Sequence, residues 1–469
     1  MIAARPRHVV VVGGGISGLA AAWFLGPRAP AAAPVRVTVL EGSDQLGGKL
    51  RVSDVGGVAV DEGAEALLLR RPEGADLVAA VRAGTLEPAR TTAAWLWTRG
   101  RLRPLPAGTL MGIPTDLRAL ARTGVLTPWE LARIPWDSWL PATSVGDDLP
   151  VGRYVGSRMG RAVVDRLVEP LLGGVYAGHA DLLSLDATMP LVAEQARGER
   201  SLLVAARVAR AAAAPVAGPV FGSLRGGLGQ LPEAVATASG ATVRTGARVR
   251  ELRRTTEGWE LIVGSAAAPE IVAADAVVLA VPAAPAARLL SAELPAASAD
   301  LGAVAYASMA IVTLAFPAAG RRLPTGSGYL VPPVDGGVVK AATFTTNKWG
   351  WYAEDEPDVR VVRLSVGRLG EEEVLQRDDA ELAALALAEL REAVGPLPAP
   401  IDRRVTRWGG GLPQYAVGHR ARVERIRAAV AGRPGLAVCG AAYDGVGVPA
   451  CVASGGRAAE EVLRHLSHG

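Results

Sequence analysis

The chain has 469 residues, half of them apolar and a fifth of them charged, a composition typical of globular proteins and not of disordered ones. This length allows two or three domains, or one continuous fold with two lobes. The formal net charge is +4, but the arginines are interspersed with acids, as in RAAEEVLRHL, and this pattern disfavours a nucleic-acid-binding protein.

The cysteines and histidines argue against two further classes of protein. Cys439 and Cys451 cannot form a disulfide framework, and the five histidines show no metal-binding spacing, so no metal site is expected. The first residues lead into an apolar run without the pattern of a signal peptide, and no stretch is apolar enough to span a bilayer. We therefore expect a reduced, cytoplasmic protein whose association with a membrane is at most peripheral.

The first predicted elements form a β-α-β unit. Residues 8–12, HVVVV, have the composition of a strand buried in a parallel sheet, residues 17–25 have helical composition, and residues 35–41, VRVTVLE, predict the next strand. Such a unit of about thirty residues is a common building block of nucleotide-binding folds.

Three glycines occupy the turn between the first strand and the helix. In the pattern GxGxxG, Gly13 permits a tight turn, Gly15 lets a pyrophosphate approach the backbone, and Gly18 lets helix and strand pack closely. Glu41 closes the next strand, where its carboxylate can accept hydrogen bonds from ribose hydroxyls. The pattern predicts a dinucleotide cofactor without a 2′-phosphate.

A second glycine pair follows Glu41. The sequence GSDQLGGKL, residues 42–50, places Gly47, Gly48 and the cation of Lys49 where a second loop can approach the phosphates. This loop resembles that of FAD-containing oxidoreductases of the amine-oxidase superfamily, although those enzymes usually have arginine in place of Lys49. It favours FAD over NAD.

Sheet-like segments return far downstream. Residues 241–263 predict paired strands, residues 274–283 a buried strand and residues 434–440 another, while residues 379–394 predict a helix rich in Ala, Leu and Glu. Long inserts separate the strand segments, which favours one nucleotide-binding domain assembled from distant pieces of the chain.

The predicted fold class is therefore α/β, with a Rossmann-like FAD-binding domain and an α+β substrate-binding lobe that has a helical insert. Residues 1–66, 222–288 and 431–469 are assigned to the FAD-binding domain. Residues 67–221 are assigned to the helical insert, as the lobe near substrate and membrane, and residues 289–430 to the α+β substrate-binding domain.

The first insert carries five tryptophans. We favour packing inside a helical lobe as their role, with a platform for a flat ligand or an interfacial belt as the alternative. They are Trp95, Trp97, Trp129, Trp136 and Trp139.

Five further segments are more specific than the glycine patterns. They resemble segments of the porphyrinogen-oxidising flavoproteins, in particular the coproporphyrinogen III oxidases of Gram-positive bacteria, with order and spacing kept over essentially the whole chain. The segments are MGIPTDL (111–117), EPLLGGVYAG (169–178), TNKWGW (346–351), RWGGGLPQYAVGH (407–419) and AAYDGVGVPACVASG (441–455).

The resemblance implies an FAD enzyme that oxidises coproporphyrinogen III to coproporphyrin III in haem biosynthesis. Six hydrogens leave the macrocycle in three rounds, and each round passes a hydride to flavin N5 and releases hydrogen peroxide from oxygen. The implied partners are the porphyrinogen and oxygen, with a possible hand-over of the product to a ferrochelatase. Because the cofactor carries the hard chemistry, the lack of a Ser/His/Asp set in the sequence is no obstacle.

The resemblance also assigns residues to the flavin site. The stretch 61–73 corresponds to the segment that passes beside the flavin ring, although Ala64 replaces the usual proline. Gly63, Ala64 and His419 are candidate neighbours of the reacting nitrogen, and His179 is a further histidine in a family-like segment, although a structural role is more common for both histidines. The expected cofactor-binding residues are Gly13, Gly15, Ile16, Ser17, Gly18, Glu41, Gly42, Gly47, Gly48, Lys49, Gly63, Ala64, Glu65, Val249, Trp408, Gly440, Gly447 and Val448.

Substrate binding requires cations. Coproporphyrinogen carries four propionates and protoporphyrinogen two, so a site for the former needs more cations or an open mouth. The candidates are Arg70, Arg71, Lys340 and Lys348.

The glycine-rich stretch near the C-terminus is interpreted as a strand-to-helix turn around the flavin. Pro449 suits the first position of a helix, whose N–H groups then meet the flavin edge that becomes negative on reduction. Gly440, Gly445 and Gly447 leave room for the cofactor, and Asp444 is expected to hold the turn.

Three alternatives stay open at this point. A protoporphyrinogen IX oxidase is the nearest of them, and a flavin amine oxidase or carotenoid desaturase shares the FAD lobes. A non-enzymatic escort protein of related fold binds no flavin. Glu41 and the Lys49 loop argue against an escort protein, and Tyr443 alone offers little of the aromatic cage typical of amine oxidases.

Overall fold

The computed structural model of the protein describes residues 5–27, 35–213, 218–319 and 322–468. Its strands are β1 (Arg7–Val12), β2 (Val35–Leu40), β3 (Val52–Val55), β4 (Val58–Asp61), β5 (Leu67–Leu68), β6 (Leu86–Pro88), β7 (Trp95–Thr98), β8 (Arg101–Pro104), β9 (Thr109–Leu110), β10 (Ile113–Pro114), β11 (Phe221–Leu224), β12 (Thr242–Arg244), β13 (Val249–Arg254), β14 (Trp259–Gly264), β15 (Pro269–Ala274), β16 (Ala276–Leu279), β17 (Tyr306–Pro317), β18 (Gly328–Leu330), β19 (Val339–Phe344), β20 (Val359–Val366), β21 (Asp402–Pro413) and β22 (Leu436–Val438). Its helices are α1 (Ile16–Leu25), α2 (Pro72–Val81), α3 (Leu117–Thr123), α4 (Pro128–Arg133), α5 (Val151–Met159), α6 (Arg161–Val163), α7 (Glu169–Tyr176), α8 (Leu185–Thr188), α9 (Pro190–Gly198), α10 (Leu202–Ala212), α11 (Leu231–Ser239), α12 (Ala283–Leu290), α13 (Pro295–Gly302), α14 (Thr345–Lys348), α15 (Trp351–Asp355), α16 (Asp379–Val394), α17 (His419–Ala431) and α18 (Val448–His468).

A five-stranded parallel sheet, in the order β12-β2-β1-β16-β22, forms the first lobe. β1 lies in its middle, where Val9 pairs with Val37 on one side and with Ala276 on the other. The valines of β1 are buried, as the unbroken apolar run predicts for a central parallel strand. Because the five strands come from distant parts of the chain, the predicted α/β class with a discontinuous Rossmann-like sheet is confirmed.

Both faces of this sheet are covered. α1, α11 and α18 pack on one face, and the β13-β14-β15 sheet with α12, α13 and α17 packs on the other. α1 and α18 approach each other closely at Gly455, where an added Cβ would lie 2.3 Å from the carbonyl oxygen of Ser17 and 3.0 Å from the backbone nitrogen of Ala21. The glycine therefore sets the separation of the two helices.

A seven-stranded sheet, in the order β21-β17-β20-β19-β18-β7-β8, forms the second lobe. α16 covers one face of this sheet, with the bounds expected from its Ala/Leu/Glu pattern. Sequence patterning did not indicate that β7 and β8, which come from the first insert, join this sheet through the parallel pairing of β7 with β18. That pairing joins residues more than 200 positions apart, and no local pattern specifies it.

The helices α3 to α10 pack around a core of their own, built mainly from Val, Leu, Ile, Met and Ala side chains. Trp95 and Trp97 are partly buried on β7 and pack into the core of the seven-stranded sheet, not into the helical lobe that was predicted for them. The packing prediction is wrong for Trp129, Trp136 and Trp139, whose exposed fractions are 88%, 64% and 83%.

We predict that Gly455→Ala pushes α1 away from α18 and lowers the free energy of unfolding by about 1–3 kcal/mol, because the added methyl group overlaps the backbone of α1. The urea midpoint, followed by circular dichroism, measures this change. Gly198→Ala is the matched control, since Gly198 ends α9 and no atom lies within 4 Å of its added carbon. Equal midpoints for the wild type and Gly455→Ala would contradict the close approach of the helices.

Candidate functional site

Four parallel strands end at one edge of the five-stranded sheet. β1 ends before Gly13, β2 before Glu41, β16 before Ala280 and β22 before Cys439. β2 lies on one side of β1 and β16 on the other, so the strand order reverses at β1. A crevice at the carboxyl ends of the strands forms at such a switch point, and it is where nucleotides bind in folds of this kind.

The three glycines of the first turn differ in their surroundings. Gly13 has a φ of +111°, and an added Cβ would lie 2.6 Å from the carbonyl oxygen of Ala280. An added Cβ on Gly18 would lie 2.0 Å from the carbonyl oxygen of Gly13, so both glycines are required by the fold. Gly15 has an ordinary φ of −75° and no atom within 4 Å of its added carbon. The open space at Gly15, at the N-terminus of α1, fits a phosphate group.

The second glycine loop lies against the first. The Gly47 N–H donates to the carbonyl oxygen of Gly14 at 2.9 Å, and an added Cβ on Gly48 would have only Gly15 near it, at 3.6 Å. Lys49 follows, and burial lowers the pKa of its ammonium group. No carboxylate of the described residues pairs with Lys49, so its charge is available to an anionic ligand.

Glu41 stands at the end of β2. Its carboxylate accepts hydrogen bonds from the N–H groups of Gly14 and Ser43, each at 2.7 Å. The Ala247 N–H donates to the carbonyl oxygen of Glu41 at 2.8 Å, which brings the start of β13 at Val249 to the same corner. The predicted ribose-binding acid is thus held in a fixed orientation beside the first glycine turn.

The C-terminal glycine turn reaches the same sheet edge from β22. Gly440 has a φ of +133° and no atom within 4 Å of its added carbon, and the added carbon of Gly447 meets only the Cδ of Pro449, at 3.9 Å. α18 begins at Val448, so Pro449 is its second residue, one place later than predicted. Open space therefore lies at the N-terminus of α18 as well as of α1.

Two other residues of this turn make contacts within the chain. Gly445 has a φ of +145°, and an added Cβ would lie 2.8 Å from the Cβ of Ala450, so the chain itself already favours glycine at this position. Asp444 pairs with Arg427 at 2.5 Å and with Arg457, so it holds the turn, as predicted.

The segment that follows β4 forms a wall beside the Lys49 loop. An added Cβ on Gly63 would lie 2.0 Å from the carbonyl oxygen of Lys49, and the Ala64 N–H donates to that oxygen at 3.3 Å. The Trp408 indole N–H donates to the carbonyl oxygen of Glu62 at 2.9 Å. Residues predicted from separate motifs to adjoin a flavin are thus brought together.

Glu65 is the centre of a buried ion cluster. Its carboxylate pairs with Lys348 at 2.5 Å and with Arg363, which also donates to the carbonyl oxygen of Gly63 at 2.5 Å. Burial alone would raise the pKa of Glu65, but Lys348 and Arg363 lower it to about 2. Sequence analysis missed Arg363, one of two arginines in β20, and the strand pattern does not show which of the two is buried.

Both histidines of the predicted set are held by neighbours. His419 is 1% exposed, stacks on Tyr415 with ring centroids 4.0 Å apart, and lies 3.3 Å from the carbonyl oxygen of Tyr443. Burial lowers the pKa of His419 to about 4, so it is neutral at pH 7. His179 lies 3.1 Å from the carboxylate of Glu169, which raises the pKa of the histidine. These contacts fit structural roles.

The other predicted substrate-binding cations lie in different environments. Arg70 is exposed, and Arg71 pairs with Glu73 at 2.7 Å. Lys340 is 4% exposed and donates to the carbonyl oxygen of Gly367 at 2.9 Å, and burial lowers its pKa to about 7.

The glycine positions and the donors fit a flavin dinucleotide. Open space at Gly15, Gly440 and Gly447 follows the sheet edge, two helix N-termini offer N–H donors, and Lys49 supplies a cation. No group of three or more metal-binding side chains occurs in the part of the chain that the structure describes.

Comparison with known proteins relates the whole chain to flavin enzymes. The family described as flavin containing amine oxidoreductase matches residues 16–463. The chain is 41% identical over 465 residues to a coproporphyrinogen III oxidase of Mycobacterium tuberculosis (strain H37Rv) and 31% identical over 471 residues to one of Bacillus subtilis (strain 168), and each comparison covers 98% of both chains. A solved structure from Exiguobacterium sp. 255-15, described as a candidate protoporphyrinogen oxidase, is 32% identical with a TM-score of 0.85 and covers 98% of this chain and 99% of that one.

We predict that Gly447→Leu yields a folded protein without flavin. The added Cβ would be in ordinary contact with Pro449 only, at 3.9 Å, and we expect the rest of the leucine side chain to fill the open space at the N-terminus of α18. Flavin absorbance of the purified protein and its circular dichroism measure the two effects. Gly302→Leu is the control, because Gly302 is exposed at the end of α13 and also has no atom near its added carbon. A yellow Gly447→Leu variant would refute this placement of the cofactor.

Glu65→Gln is predicted to lower the free energy of unfolding at pH 7 by about 3–5 kcal/mol, because it leaves two buried cations unpaired. The folded pKa of about 2 lies below the ordinary value of 4.5, so the stability that Glu65 contributes is complete above pH 4.5 and is lost as the pH falls towards 2. Urea midpoints measured across this range should fall less steeply in the variant than in the wild type.

The exposed pair of Glu251 with Arg253 supplies the control for this test. Glu251→Gln should change the free energy of unfolding by less than about 1 kcal/mol. If Glu65→Gln matched Glu251→Gln at pH 7, the buried cluster would not stabilise the fold.

Proposed function

Because the chain belongs to the flavin containing amine oxidoreductases and, within them, to the coproporphyrinogen III oxidases, we propose that it oxidises coproporphyrinogen III to coproporphyrin III in haem biosynthesis. When bound, FAD would supply a hydride acceptor for the macrocycle and a route for the electrons to oxygen. Six hydrogens are removed in three rounds, and three molecules of oxygen become hydrogen peroxide. The observation that carries the proposal is the glycine-lined crevice at the sheet edge, in a chain related over its full length to enzymes of that name.

Each wall of the crevice has a proposed role in holding FAD. The N-terminus of α1 and Lys49 bind the pyrophosphate, and Glu41 binds the ribose hydroxyls. The N-terminus of α18 at Val448 would hold the flavin edge that becomes negative on reduction, and its N–H groups would favour reduction there. Ile16 and Ser17 begin α1, and the remaining predicted contacts lie on the adjoining loops and on the strands β13 and β21. They are Gly42, Gly63, Ala64, Glu65, Val249 and Trp408.

The contribution of the protein to the chemistry is binding, orientation and exclusion of water. The segment at Gly63 and Ala64 is fixed against the Lys49 loop, and Trp408 is fixed by its hydrogen bond to the same segment. His419 is neutral at pH 7 and buried, and we assign it to support of the C-terminal turn.

Recognition of the propionates is assigned to Arg70, Arg71, Lys340 and Lys348. Lys348 is already paired with Glu65, whereas the hydrogen-bond partner of Lys340 among the described residues is a backbone carbonyl oxygen, that of Gly367. A propionate near Lys340 would restore the charged form that burial disfavours, since an opposite charge raises the pKa of an ammonium group. Lys340 is therefore the first of these residues to test.

A protoporphyrinogen IX oxidase is the second candidate. The observation in its favour is the Exiguobacterium structure described in those terms, with a TM-score of 0.85. The two substrates differ in the number of propionates, so the number of cations that reach the substrate determines which of them binds better.

Two finer expectations complete the proposal. The porphyrin product passes to a ferrochelatase, the class of enzyme that inserts iron into such a ring. Any membrane contact is peripheral, and among the described helices none is both long enough and apolar enough to cross a bilayer.

The purified protein is predicted to be yellow and to produce fluorescent porphyrin and hydrogen peroxide from coproporphyrinogen III in air, with a higher kcat/KM than for protoporphyrinogen IX. Lys340→Met should raise KM for coproporphyrinogen roughly tenfold, which corresponds to about 1.4 kcal/mol, because a charge-assisted hydrogen bond is lost. Arg377→Met, which removes an exposed arginine paired with Glu381, is the control. A higher kcat/KM for protoporphyrinogen would favour the second candidate.

A further inference from the structure

Two buried cations lie close together where β19 begins. Lys340 and Arg368, here called the cation pair, are 4% and 3% exposed. The Lys340 ammonium group donates to the carbonyl oxygen of Gly367 at 2.9 Å, and the Arg368 guanidinium group donates to the carbonyl oxygen of Val331 at 3.4 Å. The Val331 N–H donates in turn to the carbonyl oxygen of Lys340 at 2.9 Å. Both side chains therefore belong to one small region of the fold.

The cation pair has one carboxylate for two positive charges. Arg368 pairs with Glu371 at 3.2 Å, and Lys340 pairs with no carboxylate in the part of the chain that the structure describes. The pKa of Lys340 is lowered to about 7, first by burial and then by the charge of Arg368. Two buried cations with one carboxylate leave a positive charge without compensation, which is costly unless an anion joins them.

Glu371 is a weakly held partner of this buried arginine. Its side chain is 47% exposed, and its carboxylate lies 3.2 Å from the Arg368 guanidinium group, at the long end for a charge-assisted hydrogen bond. Ion pairs with such exposure typically contribute less than about 1 kcal/mol to stability. The Glu371 carboxylate therefore marks a place beside Arg368 that an anion can reach from solvent, and Glu371 can leave that place at small cost.

The cation pair lies where the helical lobe meets the seven-stranded sheet. The Leu369 N–H donates to the carbonyl oxygen of Ala177 at 2.8 Å, and His179 lies 2.9 Å from the carbonyl oxygen of Leu369. Ala177 directly follows α7 of the helical lobe, whereas Arg368 lies just beyond the end of β20. These bonds fix the segment that carries Arg368 at the junction of two lobes, a place where ligand sites are common.

We propose that the cation pair binds one propionate carboxylate of the porphyrinogen, and that Glu371 occupies this place until the substrate displaces it. The inference rests on the proposed function and adds Arg368 and Glu371 to it. An ammonium and a guanidinium group that together lack one negative charge match the charge and the acceptor geometry of a carboxylate. Because Glu371 competes with the substrate, its removal strengthens substrate binding, whereas removal of Arg368 weakens it. An ion pair with a purely structural role gives no such gain.

The test measures the Kd of the FAD-loaded full chain for coproporphyrin III, the stable oxidised form of the substrate, from the change in porphyrin fluorescence. Arg368→Gln should raise this Kd roughly tenfold, which corresponds to about 1.4 kcal/mol, because a charge-assisted hydrogen bond is lost. Glu371→Gln should lower the Kd about threefold to tenfold, and kcat/KM for coproporphyrinogen III should rise by a similar factor.

A double variant and two matched controls make the test specific. In a chain that already carries Arg368→Gln, the further change Glu371→Gln should alter the Kd less than about twofold, because the glutamate then has no guanidinium group to occupy. The controls are Arg377→Gln and Glu381→Gln, which break an ion pair whose side chains are 46% and 48% exposed. Each control should leave the Kd for coproporphyrin III unchanged.

Unchanged or weaker binding of coproporphyrin III by Glu371→Gln overturns the proposal, since a structural ion pair would give that result. The Glu371 side chain is half-exposed, so this variant remains decisive even if circular dichroism shows that Arg368→Gln does not fold. A wild type that neither binds coproporphyrin III nor oxidises coproporphyrinogen III contradicts the proposed function as well. If the wild type oxidises coproporphyrinogen III and the variants bind coproporphyrin III as it does, only the role of the cation pair and Glu371 is overturned.

Discussion

Close backbone contacts at the end of β1 set the positions of the helices in the first lobe. Gly18 lets α1 lie against the turn at Gly13, and Gly455 lets α18 lie against α1. With those helices fixed at van der Waals distance, the N-termini of α1 and α18 both come to the carboxyl edge of the parallel sheet. Two positive helix ends at one edge make that crevice suitable for an anionic cofactor that is reduced there.

The Glu65 cluster has a comparable role between the two sheets. Glu65 follows β4 in the segment packed against the Lys49 loop, while Lys348 ends α14 and Arg363 lies in β20 of the seven-stranded sheet. A buried carboxylate with two cations is costly to separate, since each partner left alone would keep a desolvated charge. The cluster therefore fixes the wall at Gly63 and Ala64 relative to the seven-stranded sheet, and it includes Lys348, one of the cations proposed to bind substrate.

The helical lobe combines a conventional interior with an unusual surface. Its core is built from aliphatic side chains, whereas three of its tryptophans point outward from a segment anchored by Asp137 and Arg158. An argument from composition assigns these tryptophans to the core, because the indole is a large and mostly apolar side chain. Only the position of Asp137 between them, with its carboxylate facing inward, determines that the neighbouring indoles face solvent.

Features that depend on neighbours along the chain could be predicted from the sequence. The GxGxxG turn, Glu41 at the end of β2, the alternation of strands and helices, and α16 were all predicted, because each is specified within about twenty-five residues. Contacts between residues that are far apart in the sequence could be seen only in the tertiary structure. It paired β7 with β18, placed Arg363 on Glu65, assigned Gly445 to packing against Ala450, and left His419 neutral in a buried stack. Burial and partner choice are properties of the whole packed chain, so a residue type predicts what a side chain is able to do and the fold decides which of those roles it performs.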